Sequence, residues 1–95
     1  MLPYTTTGSY NVAAGNHALR NNTTGSDNTA VGSWALEDNG AGYWNSALGA
    51  RALRRNRGNR NTAVGVNALA ANVSGDANVA TGEAALLSNV DGFGN

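Results

Sequence analysis

The chain contains no cysteine and no lysine, one proline, one phenylalanine and a single histidine, His17. Without cysteine there is no disulfide framework and no thiolate metal site. One histidine with no carboxylate pair beside it gives no zinc-type ligand set. The glycines do not belong to a phosphate loop, because no Gly-Lys-Ser/Thr follows them. No serine stands in a candidate arrangement with a histidine and an acid. No apolar run is long enough to span a bilayer as a helix. Met1-Leu2-Pro3-Tyr4-Thr5 has neither the basic nor the apolar region of a secretion signal. Six arginines and six acids leave no net charge. Composition therefore gives no reason to expect nucleic acid or an anionic membrane as partner. The expectation is a non-enzyme with no metal and no cofactor.

What is abundant is glycine, at 13 residues, together with asparagine and alanine. That composition alone fits disorder. The order of the residues decides against it. Asn11, Asn28, Asn45, Asn61, Asn78 and Asn95 recur at spacings of 17, 17, 16, 17 and 17 residues. With each as position zero, position two is Ala13, Ala30, Ala47, Ala63 and Ala80. Position four is Gly15, Gly32, Gly49, Gly65 and Gly82. Positions seven and eight are Ala-Leu, ending in Leu19, Leu36, Leu53, Leu69 and Leu86. Position eleven is a second asparagine: Asn22, Asn39, Asn56, Asn72 and Asn89. Position fourteen is Gly25, Gly42, Gly75 and Gly92, with Gly58 one place early. The third unit has lost a residue between Asn56 and Gly58, in a loop that tolerates deletion. The chain thus reads as one repeat domain over residues 1–95. A half coil at 1–10 precedes coils one to five at 11–27, 28–44, 45–60, 61–77 and 78–94, and Asn95 begins a further coil.

Asn28-Thr29-Ala30-Val31-Gly32 is a short strand signal, β-branched and bounded by Asn and Gly. Seventeen residues are too few for a strand–helix–strand unit and fit one coil of a parallel β-solenoid. The fold class expected is all-β. Stacked coils place equal positions about 4.8 Å apart, so fixed Asn and Leu positions become ladders. The Gly-x-x-Ala-Leu-x-x-Asn stretch fits either a second strand or a short helical turn. Both sides of the strand are apolar, which predicts that both are buried. One Leu and a few Ala per coil make a thin core beside an ordering cost of about 1–2 kcal/mol per residue. The expectation is an obligate homo-oligomer, most simply a trimer about an axis parallel to the stack. The ends carry no polar capping segment, so end-to-end stacking into a filament is a further alternative.

Asn28-Thr29-Ala30-Val31-Gly32 with Ala35-Leu36 and Asn39, repeated as Asn61-Thr62-Ala63-Val64-Gly65 with Ala68-Leu69 and Asn72, resembles the head repeats of trimeric autotransporter adhesins. It is still more similar to the Asn-Thr-Ala-Val-Gly repeats of bacteriophage and bacterial tail-fibre-like proteins. The unit is longer than that of the typical adhesin head. The resemblance implies a trimeric left-handed parallel β-roll. It implies an adhesive or spacer segment of a virion fibre or cell-surface protein, mediating host or surface attachment.

Where the coils stop matching one another is where a ligand is sought. Arg51, Arg54, Arg55, Arg57 and Arg60 all fall within residues 45–60, which hold no acid. Arginine grips carboxylate or phosphate in a bidentate fork. The five are candidate ligands for an acidic surface glycan or another polyanion. Against this stands a solvated face, or pairing across coils with Glu37, Asp38 and Asp76. Trp34, Tyr43 and Trp44 lie in coil two, beside that belt, and Tyr10 shares the repeat position of Trp44. Exposed aromatics suit binding surfaces; the alternative is packing between subunits or under a loop. Asn22-Thr23-Thr24 and Asn72-Val73-Ser74 match a glycosylation acceptor, a pattern frequent by chance in so Asn-rich a chain.

Overall fold

In a computed structural model, the described residues are 8–72, 75–87, 92 and 94. The expected half coil lies outside them as far as residue 7, as does Asn95. Five strands form: β1 (Val12–Ala14), β2 (Thr29–Val31), β3 (Ser46–Leu48), β4 (Thr62–Val64) and β5 (Val79–Thr81). They make one parallel sheet in chain order, one strand per coil. The chain is therefore an all-β parallel solenoid, with extents of 29 × 21 × 15 Å. Register follows the repeat: Ala13 pairs with Ala30, Ala30 with Ala47, Ala47 with Ala63, and Ala63 with Ala80.

Each strand stops after three residues because a glycine turns the chain. Gly32 has φ 130°, and a Cβ there would stand 2.7 Å from the carbonyl of Gly49. Only glycine permits that conformation and that approach together.

Beyond this corner neither a second strand nor a helical turn forms. In coil two, Ala35 N–H donates to Gly32 O at 3.2 Å and Glu37 N–H to Trp34 O at 3.2 Å. Between them, Trp34 N–H reaches back to Asn16 O (2.8 Å), while Leu36 N–H reaches on to Ala52 O (3.0 Å) and Asp38 N–H to Arg54 O (2.8 Å). Alternate amides thus close local turns and bind neighbouring coils. Trp34 and Leu36 have φ 67° and 50°. A helix needs negative φ throughout, so the helix-favouring side chains of this segment are overruled. The inter-coil bonds at every second residue outweigh that local preference.

The interior has two kinds of row. Ala18, Ala35, Ala52 and Ala68, Leu19, Leu36, Leu53 and Leu69, and the strand alanines from Ala30 to Ala80 are apolar and buried. Beside them run two buried asparagine ladders. In the first, the Oδ1 of Asn11, Asn28, Asn45 and Asn61 accepts the backbone N–H of the next anchor, at 2.9–3.0 Å. In the second, Nδ2 of Asn39, Asn56 and Asn72 donates to Oδ1 one coil below, at 2.7–3.0 Å. The carbonyl of Gly42 joins the two, accepting Asn28 Nδ2 at 2.8 Å and Asn39 Nδ2 at 2.9 Å. An orphaned amide here would cost about 1–3 kcal/mol, which is why both positions stay Asn.

Coil three shows that the ladder matters more than the residue count. Gly58 comes one place early, yet its carbonyl still accepts Asn45 Nδ2 and Asn56 Nδ2, both at 3.0 Å. The deletion is absorbed between the rungs, and every strand keeps its register.

The expectation that both sides of the strand are buried is met on one side within the single chain. Position two points inward. Positions one and three point outward, and Val12, Val31, Leu48, Val64 and Val79 are 39–61% exposed. At position three Ala14, Val31, Leu48 and Val64 form an exposed apolar column over the first four coils, ending at Thr81, while Val12 and Val79 stand at position one, where the coils between carry Thr29, Ser46 and Thr62.

Candidate functional site

Two columns of side chains flank the strand, and both are raised on the same unusual backbone. Position six carries His17, Trp34, Arg51, Asn67 and Ala84, with φ between 58° and 67°. Position sixteen, just before the anchor Asn, carries Tyr10, Asp27, Trp44, Arg60 and Ala77, with φ between 57° and 60°. Left-handed φ costs a side-chain-bearing residue about 1–2 kcal/mol. The inter-coil bonds enforce it at every rung: Trp44 N–H donates to Ser26 O at 3.1 Å, Arg60 N–H to Tyr43 O at 3.0 Å. Both tryptophans of the chain stand on these strained rungs.

The arginine belt of coil three is not one surface. Arg51 lies in the position-six column and Arg60 in the position-sixteen column, on either side of the strand. Arg54, Arg55 and Arg57 follow the Ala-Leu turn. Most of these charges are answered inside the chain. Arg54 Nε meets Glu37 Oε1 at 2.9 Å, and Arg57 meets Asp38 at 3.4 Å in the open. Arg51 Nε donates to Asn67 Oδ1 at 2.8 Å. Asp76, the third acid weighed as a partner, instead accepts the backbone N–H of Asn59 at 2.8 Å. Arg55 and Arg60 are exposed and make no side-chain bond to any described residue.

The aromatics are divided too. Trp34 is half-buried in a stack, with His17 on one side at 4.6 Å and the Arg54 guanidinium 4.7 Å above its ring. His17, which has no ligand partner in the sequence, is thus a stacking residue. Tyr43 and Trp44 meet edge to face at 5.2 Å, in a different place. Trp44 is 54% exposed and Tyr10 is 85% exposed.

Position fifteen shows a break that sequence reading missed. Its side chains normally lend an oxygen to the coil below. Ser26 Oγ accepts Ser9 N–H at 3.1 Å, Asn59 Oδ1 accepts Tyr43 N–H at 3.0 Å, and Asp76 Oδ1 accepts Asn59 N–H. Tyr43 occupies this position in coil two and makes no such bond to Ser26. The signal was available as a lone aromatic in a column of Ser, Asn and Asp.

Asn22 and Asn72, the two acceptor-motif asparagines, are buried rungs of the second ladder. Among the described residues no group of three His, Asp or Glu side chains is placed to hold a metal ion. No helix among the described residues is long and apolar enough to cross a membrane. Comparisons with protein-family models, with curated proteins and with solved structures find no match.

Proposed function

We propose that this chain is a structural and adhesive fibre segment, assembled as a trimer of β-solenoids that display their outer columns many times over. The observation that carries this reading is the exposed apolar column of Ala14, Val31, Leu48 and Val64, with Val12 and Val79 beside its two ends. Monomeric surfaces rarely leave a continuous apolar stripe along most of a sheet. Copies of the same chain are the natural cover, because the column repeats position three over four successive coils and presents it alike on each copy. The thin internal core, one Leu and a few Ala per coil, needs that extra burial. A stack whose coils are locked by buried amide ladders is stiff, which suits a spacer. The resemblance of the Asn-Thr-Ala-Val-Gly repeats to tail-fibre-like and adhesin repeats supports the same assignment, and with it a place on a virion fibre or cell surface.

Multi-angle light scattering on the purified chain tests this directly. The expected mass is that of three chains, independent of concentration. A folded monomer would overturn the trimer, and a mass that grows with concentration would favour end-to-end stacking instead. Leu48→Asp places a charge at the middle of the stripe, at a residue already 43% exposed in the single chain. It should lower the mass to one chain.

A further inference from the structure

We infer that Asp27, Tyr43, Trp44 and Arg60 form a binding site for an acidic sugar, with the ring face on Trp44 and the carboxylate on Arg60. The site deepens the adhesive half of the reading above and does not depend on the number of chains.

Asp27, Trp44 and Arg60 occupy successive rungs of one column, each at φ 59°. Adjacent rungs are about 4.8 Å apart, so the three side chains span about 10 Å along the stack. All three are exposed. Neither Asp27 nor Arg60 bonds through its side chain to any described residue. Among the described residues the only ring contact of Trp44 is its edge-to-face meeting with Tyr43. The other column gives the contrast: Trp34 is sandwiched by His17 and Arg54, and Arg51 is engaged by Asn67. There the aromatic and the cation serve the fold. Here the same strained backbone holds an aromatic that meets one ring, Tyr43, together with an exposed cation and an exposed anion whose side chains bond to no described residue. Tyr43 adds an independent sign, because it takes a position whose neighbours accept a backbone N–H of the coil below through a side-chain oxygen, and it gives that bond up.

The order of the rungs selects the ligand. An apolar ring face stacks on Trp44. Arg60 offers a fork to a carboxylate. Asp27, on the other side of Trp44, accepts bonds from hydroxyl groups and repels a second negative charge. A uronic acid residue satisfies all three. A polyanionic peptide satisfies Arg60 alone and meets Asp27 with like charge.

Tryptophan fluorescence titration against an oligomer of glucuronic acid tests the site, with the neutral glucose oligomer of equal length and poly-glutamate as controls. The acidic oligomer should bind at least about tenfold more tightly than either control, as expected for one charge-assisted pair. Arg60→Gln should remove that preference, Trp44→Ala should abolish binding, and Arg54→Gln should change neither. Equal binding of the acidic and neutral oligomers, poly-glutamate bound as tightly, or an unaffected Arg60→Gln would each overturn the proposal. So would a change in assembled mass for Trp44→Ala, which would place that ring in the contact between chains. A wild-type mass other than three chains, with sugar binding intact, would overturn the trimer and leave the site standing.

Discussion

Trp34 and Trp44 lie ten residues apart in the same coil, on backbone of the same hand, each followed one coil later by an arginine in its own column. Their surroundings differ completely. Trp34 is held by His17 below and by Arg54 above, and Arg54 is in turn fixed by Glu37. Trp44 meets Tyr43 edge to face and is 54% exposed. The comparison teaches that a residue's place in the repeat fixes its backbone but not its role. The role comes from which side chains the adjoining coils place within reach.

Six substitutions break or sharpen that comparison. Asn45→Leu removes the frame that both columns share. It takes a donor from the Gly58 carbonyl and an acceptor from the Asn61 amide in one step. The buried Asn61 amide left unpaired, and one bond lost from a Gly58 carbonyl that keeps Asn56 Nδ2, should together cost about 2–4 kcal/mol. In a thermal melt both tryptophans should lose their fixed environments together; separate transitions would show that the coils are not one cooperative stack.

Smaller and more selective is the pair Trp34→Ala and Trp44→Ala. The first loses a cation–π contact, a ring contact and the burial of a half-covered side chain, about 1–2 kcal/mol. The second should stay within about 0.5 kcal/mol of wild type, as surface changes do. Equal losses in denaturant unfolding would erase the distinction between the columns. Glu37→Gln follows, at about 0.5 kcal/mol, since the Arg54 side chain is 36% exposed and its pairing is screened by water. That loss should shrink in high salt, whereas Asp38→Asn, at the exposed Arg57 pair, should show none. Opposite in sign is Arg60→Gly, which exchanges a strained left-handed residue for one that adopts φ 59° freely. Relief of strain, set against glycine's greater unfolded freedom, should raise stability by about 0.5 kcal/mol. A measurable loss instead would show that Arg60 has a partner within the assembly.

The legible part of the fold is the part the repeat enforces. Asn at positions zero and eleven, Ala-Leu at seven and eight, and Gly at four and fourteen point to a stacked parallel coil, because a ladder tolerates little variation at its rungs. The Ala-Leu segment was not legible. Propensity there favours a helix, and only the inter-coil bonds, which a linear reading does not contain, impose φ 50° on Leu36. The candidate residues were legible as a set and not as a site. Five arginines crowded into sixteen positions look like one belt. Wrapping them around a coil sends Arg51 and Arg60 to different columns and hands Arg54 and Arg57 to the acids of coil two.

The sequence by itself determined that this chain is a periodic stack, how long each coil is, and where one residue is missing. Periodicity is a property of order along the chain, so it needs no coordinates. The tertiary structure alone decided which side chains are spent on the fold and which are left over. That depends on distances between coils, on left-handed rungs that aim Trp44 and Arg60 outward, and on whether a neighbour such as Glu37 lies close enough to answer a charge.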